Sequence, residues 1–171
     1  MTSKMSKKRI VKKITQKTLQ LRNSLWPDLK EDMLWSRKTK KGFTTIPRGM
    51  SHIVQIMNEL SSGKPLASTY LVLWCHTYDE YMVTIPNPRV MAFEAGFTGQ
   101  RAESTWKDRM KKLAKLGFIK AEPGPSGPYN YVLILNPYMT IKELQTNNKI
   151  SRDRYNALFQ RANDIGADDL L

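Results

Sequence analysis

The chain has 171 residues, of which 40% are hydrophobic, enough to bury the core of one ordinary domain with appended segments. Its formal net charge of +13 indicates a polyanionic partner and disfavours a neutral metabolite. Cys75 is the single cysteine, which excludes an internal disulfide. The sequence contains neither a run of about 18 apolar residues nor the apolar stretch of a secretory signal, so we expect a cytoplasmic protein.

Most of the positive charge lies in residues 1–41. They contain 13 Lys or Arg and 3 Asp or Glu, a net charge of +10, whereas residues 42–171 have a net charge of +3. No acidic residue lies between Lys4 and Lys17, and such a like-charge block resists folding alone. We expect residues 1–41 to form a basic, largely flexible arm that becomes helical when bound. A solubilising tail is one alternative, and a membrane-surface helix is another, with a thin apolar side of Ile10, Val11, Ile14, Leu21 and Leu25.

Ordered structure is expected from residue 42 onward. The segment Phe43–Ile46 is predicted to form a short strand closed by Pro47. A helix is predicted next, ending at Ser61–Gly63, because apolar residues recur at helical spacing. These residues are Met50, Ile53, Val54, Met57 and Leu60.

Six further elements are predicted before residue 136. They are a helix over Leu66–Thr77, a strand over Met82–Ile85, a short helix over Val90–Ala95, a longer helix over Gly99–Leu116, and strands over Phe118–Glu122 and Tyr129–Leu135. The first of these helices should face inward with Tyr70, Leu73 and Trp74. Gly96 and Gly117 are predicted to end the next two helices in the left-handed conformation. The Pro- and Gly-rich residues 123–128 are predicted to be a rigid loop without regular structure.

Residues 140–171 are predicted to form a C-terminal helical extension. Thr140 and Glu143 have the spacing of a capping box for one short helix. A last amphipathic helix is indicated by Tyr155, Leu158, Phe159, Ala162 and Ile165. We expect Tyr155, Leu158 and Phe159 to pair two copies into a homodimer.

The order of elements from Leu66 to Leu135 is typical of a winged helix-turn-helix, although an ordinary α+β core shares part of it. We therefore predict an α+β, mainly α fold, with this domain over residues 42–139. At about 100° per residue, one side of the longer helix collects apolar residues and the opposite side collects polar ones. The apolar side holds Ala102, Trp106, Met110 and Leu113, and the polar side holds Arg101, Ser104, Asp108, Lys111 and Lys115.

This sorting predicts a recognition helix that binds double-stranded DNA. Base contacts are expected from Gln100, Arg101, Ser104 and Thr105, because Gln and Arg suit adenine and guanine edges. Phosphate contacts are expected from Lys107, Lys111, Lys112 and Lys115. Lys120 is the one cation near the hairpin, which otherwise offers Ser126, Tyr129 and Asn130. The hairpin is therefore a light phosphate contact, a structural corner or a protein contact.

An enzyme is not expected. Cys75 and His76 suggest a nucleophile and its base, but adjacent helical residues point about 100° apart. Cys75 is interpreted as a small buried side chain. The sequence contains no glycine-rich phosphate loop, zinc-ligand spacing or serine elbow, so no cofactor or metal is predicted.

Four segments resemble a small family of winged-helix proteins carried on bacterial plasmids and integrative elements. They are Gly42–Arg48, Ser68–Trp74, Ala92–Phe97 and Trp106–Ile119. The resemblance covers residue 42 to the C-terminus and implies sequence-directed DNA binding in transcriptional regulation or in plasmid replication or maintenance, without choosing among them. Replication initiators commonly repeat the winged module, and one copy is visible here.

A second hypothesis is a protein-interaction adaptor of a plasmid replication or partition complex. The uncharged hairpin tip and the apolar stripe of the last helix favour it. An RNA or single-strand binder is disfavoured, because the sequence lacks an interleaved aromatic platform.

Overall fold

The computed structural model describes residues 15–170, and the chain divides into two units between Phe43 and Thr44. In the first unit, residues 15–25 form helix α1 and Glu31–Met33 form one turn of 3₁₀-helix. Most of the basic block that begins at Lys4 lies outside the described residues, as do Ile10, Val11 and Ile14. The described part of the predicted arm therefore includes regular structure.

The second unit is an α+β, mainly helical fold. Its helices are α2 (Met50–Leu60), α3 (Ala67–His76), α4 (Pro88–Glu94), α5 (Ala102–Leu116), α6 (Pro137–Thr146) and α7 (Arg152–Ile165). Its strands are β1 (Met82–Thr84), β2 (Ile119–Gly124) and β3 (Gly127–Ile134). The strands form an antiparallel sheet in the order β1-β3-β2. The prediction of an α+β, mainly α class is confirmed.

The predicted strand Phe43–Ile46 is wrong, because the segment has no regular structure. Phe43 and Ile46 would lie on opposite faces of a strand. They are 47% and 45% exposed, so both side chains are largely in solvent. The ring of Phe43 instead contacts that of Trp35 edge-on, with centroids 5.9 Å apart.

The hairpin between β2 and β3 is tighter than predicted. Gly124 pairs with Gly127, so the strands extend into the segment predicted to be a loop and only Pro125 and Ser126 remain in the turn. The register shifts between Glu122 and Gly124, which accommodates Pro123, a residue without a backbone N–H. The expectation of an irregular loop over residues 123–128 was therefore wrong.

The core lies between the helices and one face of the sheet. The fully buried rings of Tyr70 and Phe118 meet edge-on at 6.0 Å, and Trp106 is completely buried beneath α5. Burial raises the pKa of the Tyr70 hydroxyl to about 12. Tyr70, Leu73 and Trp74 all face inward on α3, as their spacing predicts. The helical pattern of α2 is confirmed as well, with Met50, Ile53 and Met57 buried.

Helix α6 begins in a different way from the prediction. Its cap is Asn136, whose side chain accepts hydrogen bonds from the backbone N–H groups of Tyr138 and Met139 at 3.0 and 3.4 Å. Pro137 follows at the first helical position, where its fixed φ suits a helix start. Thr140 therefore lies inside the helix, and its hydroxyl donates to the carbonyl of Gly117 at 2.8 Å. The predicted capping box of Thr140 and Glu143 is wrong.

Helix α7 packs into the chain. Leu158 is completely buried and Ala162 is 1% exposed. Arg154 holds α7 against α2 through an ion pair with Glu59 at 2.5 Å and a hydrogen bond to Gln55 at 3.0 Å. Because Leu158 is enclosed by its own chain, the expected dimer contact through that side chain is wrong. Tyr155 and Phe159 are partly buried against the same core.

Candidate nucleic-acid interface

Helix α5 separates its side chains into a buried side and an exposed side. Ala102, Trp106, Met110 and Leu113 are 8% exposed or less. On the opposite side, Arg101, Ser104, Asp108, Lys111 and Lys115 are all exposed. We call this exposed side the outer face of α5. The predicted sorting is confirmed, and it follows from helical periodicity, since each side repeats every three or four residues.

Helix α5 is held in place from its partly buried flank. The Nε of Arg109 donates to the carbonyl of Pro65 at 3.1 Å, and the guanidinium lies over the Phe97 ring at 5.6 Å. Phe97 lies in the connection from α4, between Gly96 and Gly99, which have φ angles of +85° and +78°. Only glycine adopts such angles at low cost, so these two residues permit the sharp change of direction between α4 and α5.

The four predicted base-contact residues gather at the N-terminal end of α5. The helix begins at Ala102, not at Gly99, and Gln100 and Arg101 occupy the exposed turn before it. The Ser104 hydroxyl donates to the carbonyl of Arg101 at 3.0 Å, while Thr105 is half-buried. Gln100, Arg101 and Ser104 are therefore exposed, and of the three Ser104 has a hydroxyl bonded within the chain.

The predicted phosphate contacts differ in how free they are. Lys107 forms an ion pair with Glu103, with Nζ and Oε1 2.6 Å apart. Lys111 and Lys115 are exposed and Lys112 is half-buried, and no carboxylate within residues 15–170 lies at ion-pair distance from these three. Three of the four lysines thus have no close carboxylate partner in the part of the chain that the structure describes.

Lys120 does not join the α5 lysines. It lies on β2 opposite Leu133 of β3, and both side chains are exposed. Their neighbours Ile119 and Val132 are buried against the core, so Lys120 projects from the other face of the sheet. The structure brings the predicted residues of α5 together and leaves Lys120 apart.

Polar side chains of the hairpin are bonded within the chain. The Ser126 hydroxyl donates to the carbonyl of Pro86 at 2.8 Å. Asn130 is 4% exposed, and its Oδ1 accepts from the Ser126 N–H at 2.9 Å. The Tyr129 ring contacts that of Trp106 edge-on, with centroids 6.0 Å apart. Burial and, to a smaller extent, the charge of Asp108 raise the pKa of the Tyr129 hydroxyl. These contacts favour the interpretation of the hairpin as a structural corner.

The hypothesis that Cys75 is a nucleophile and His76 its base is not supported by the geometry, because the partner of His76 is Glu94. His76 Nε2 lies 2.5 Å from Oε2 of Glu94, which links α3 to α4. Cys75 is exposed, which contradicts its interpretation as a buried side chain. Within residues 15–170, no group of three or more His, Cys, Asp or Glu side chains is arranged to hold a metal ion.

Two features were missed by sequence reasoning. One is the outer face of the sheet, where Met82, Tyr131 and Leu133 are 45%, 39% and 43% exposed. The two-residue spacing of Tyr131 and Leu133 indicates that they share one face of a strand, but nothing in the sequence indicates that this face is exposed. The other is Lys64, which lies across an open groove of about 340 Å³ from the lysines of α5. No sequence signal indicated that Lys64 belongs with these lysines, because Lys64 and Lys111 line one groove only in the folded chain.

Comparisons with known proteins identify no relative of this chain. No family model, curated protein or solved structure matches the chain. Among the described residues, no helix has the length and apolar character needed to cross a bilayer.

Proposed function

We propose that this protein binds double-stranded DNA as a winged helix-turn-helix, with α5 as the recognition helix. The elements that support the proposal follow one another as α3, β1, α4, α5, β2 and β3. In this arrangement α4 and α5 form the helix-turn-helix and the hairpin of β2 and β3 is the wing. The mainly helical fold with a small antiparallel sheet is compatible with this assignment.

One observation carries the proposal: the outer face of α5 is exposed and cationic while its opposite side is anchored in the core. A helix that enters the major groove needs an apolar side to hold it and a polar side to reach bases and phosphates. Arg101 is suited to bidentate hydrogen bonds with guanine, and Gln100 to adenine. Lys111 and Lys115, one turn apart on the same face, supply charge for phosphates.

The net charge of +13 is consistent with several phosphate contacts. If six to eight phosphates are neutralised, the logarithm of the binding constant should fall against the logarithm of the salt concentration with a slope of about −5 to −7. A slope near zero for every duplex would contradict the proposal.

The decisive experiment is selection of bound duplexes from a random pool by the full chain. Enrichment of one sequence supports recognition by α5, whereas recovery without enrichment reduces the function to non-specific binding. We infer a role in transcriptional regulation or in plasmid replication or maintenance. A selected site beside the protein's own gene would favour autoregulation, and repeated sites at a replication origin would favour replication.

A second candidate function is an adaptor that binds another protein of a plasmid replication or partition complex. The exposed Met82, Tyr131 and Leu133 on the outer face of the sheet favour it, because they form a contiguous apolar surface next to a hairpin tip without charge. A purified partner whose binding resists high salt, and is lost on Leu133→Asp, would support the adaptor. Retention of duplex DNA by the same variant would show that the two activities use separate surfaces.

A further inference from the structure

A basic groove separates the turn after α2 from the partly buried flank of α5 that carries Arg109 and Lys112. Its volume is about 340 Å³, and every residue that lines it is polar or charged. Lys64 lies on the side of the turn, and Lys111, Lys112 and Lys115 lie on the side of α5. We call this feature the basic groove.

The charge of the basic groove is strongly positive. Arg109 adds a fifth cation to the four lysines, and Asp108 contributes one carboxylate. None of the four lysines has an ion-pair partner within residues 15–170. On the other flank of α5, by contrast, Lys107 is neutralised by Glu103. An uncompensated group of cations around a concave surface favours an anion.

The two walls of the groove are held at a fixed separation. Arg109 reaches from α5 to the carbonyl of Pro65, the residue after Lys64. Behind the turn, Oδ1 of Asn58 accepts the backbone N–H groups of Leu66 and Ala67 at 2.8 and 3.2 Å. The backbone on the C-terminal side of Lys64 is therefore bonded to two other segments. Little ordering is required before an anion binds, which reduces the entropic cost of binding.

The turn beside the groove offers backbone donors at Ser62, which lines the groove, and at the adjacent Gly63. Ser62 and Gly63 have φ angles of +54° and +80°. In the part of the chain that the structure describes, their N–H groups donate to no acceptor. Successive N–H groups in such a turn are a common site for phosphate oxygens.

We propose that the basic groove binds a phosphate group of the DNA backbone beside the segment read by α5, with Lys64 and Lys112 donating from its two walls. The inference rests on the proposed function. Lys111 and Lys115 belong both to the groove and to the outer face of α5, so one duplex can reach both. A lipid headgroup is disfavoured because the groove has no apolar side chain to enter a bilayer.

The test measures binding of the full chain to a fluorescent duplex of random sequence across a range of salt concentrations. Lys64→Ala should make the log–log slope less negative by about 0.9, because one phosphate contact is lost. Lys149→Ala is the matched control, since Lys149 is an exposed lysine between α6 and α7 that does not line the groove. Its slope should equal that of the wild-type chain. Thermal unfolding of each variant checks that the fold is retained.

A second measurement locates the contact directly. On addition of the duplex, the amide resonances of Ser62 and Gly63 should shift in the wild-type chain, and the shifts should shrink in Lys64→Ala. If Lys64→Ala and Lys149→Ala have equal salt slopes and the amide resonances of Ser62 and Gly63 do not shift, the proposal that the groove binds a phosphate is overturned. Recognition by α5 would be unaffected by that result. Absence of duplex binding by the wild-type chain would overturn both proposals. Lys64-dependent binding to phosphatidylserine vesicles without duplex binding would show that the anion is a lipid.

Discussion

The outer face of α5 and the hairpin of β2 and β3 both carry polar side chains that were candidates for DNA contact, but they differ in what those side chains are bonded to. Lys111 and Lys115 on α5 are exposed without a carboxylate partner in the described chain. On the hairpin, Ser126 and Asn130 are committed to hydrogen bonds within the chain. Residue type therefore indicates which groups can bind a nucleic acid, whereas their availability depends on intramolecular partners.

The difference has a steric origin. A helix packed by one side leaves its opposite side in solvent when no other element covers it, and the outer face of α5 is exposed. A tight hairpin brings its turn close to its own strands, so a side chain such as Asn130 meets the backbone of Ser126 four residues earlier. An Ala side chain in place of Gly124 would have its Cβ 2.7 Å from Oδ1 of Asn130, which shows how closely the turn is packed.

The largest effect is expected where the two regions share a core residue. Trp106→Ala should lower the free energy of unfolding by about 3–5 kcal/mol, because the substitution leaves a cavity beneath α5 and removes the contact with Tyr129. Urea denaturation measures it. Lys115→Ala, on the exposed side of the same helix, should change stability by less than about 0.5 kcal/mol. Similar losses in the two variants would contradict the assignment of sides.

The hairpin is tested by Asn130→Ala. Loss of the buried acceptor leaves the Ser126 N–H without its partner and should lower the free energy of unfolding by about 1–3 kcal/mol. Well below the unfolding temperature, the salt slope for a random duplex should stay at the wild-type value. A changed slope in a folded Asn130→Ala chain would mean that the hairpin contributes to DNA binding and would remove the contrast with α5.

The N-terminal end of α5 is tested by Arg101→Ala. Discrimination between the selected site and its variants should fall by about 1–3 kcal/mol at one base position, because a bidentate contact to a base is lost. Competition binding against single-base variants measures this effect. Arg154→Ala is a control, since its guanidinium pairs with Glu59 in the chain. Unaltered discrimination in Arg101→Ala would move base recognition away from this residue.

The smallest effect is expected from Lys111→Ala. Affinity for specific and random duplexes should decrease by the same factor, and the salt slope should become less negative by about 0.9, because a phosphate contact carries no sequence information. Lys107→Ala offers the sharpest comparison on the same helix: since Lys107 is paired with Glu103, its loss should change the slope less. The opposite order would show that the ion pair opens on binding.

Periodicity predicted much of the fold and most of the candidate site. The helices that became α2, α3 and α5 were predicted with their buried sides, and the exposed residues of α5 followed from the same pattern. The predictions that failed depended on partners far along the chain. Thr140 was interpreted as a cap but donates to Gly117, 23 residues away, and Leu158 was interpreted as an intermolecular contact but is buried in its own chain.

The order of the residues is enough to decide which side of α5 is buried, because a helix repeats every 3.6 residues and apolar side chains leave water together. Which polar groups remain available for binding depends on the folded chain. Arg109 donates a hydrogen bond to the carbonyl of Pro65, 44 residues away, and Ser126 donates one to the carbonyl of Pro86, 40 residues away. Lys64 likewise lines one groove with lysines of α5 only in the folded chain. Hydrogen bonds and charges act through space, and folding sets the distances between the groups.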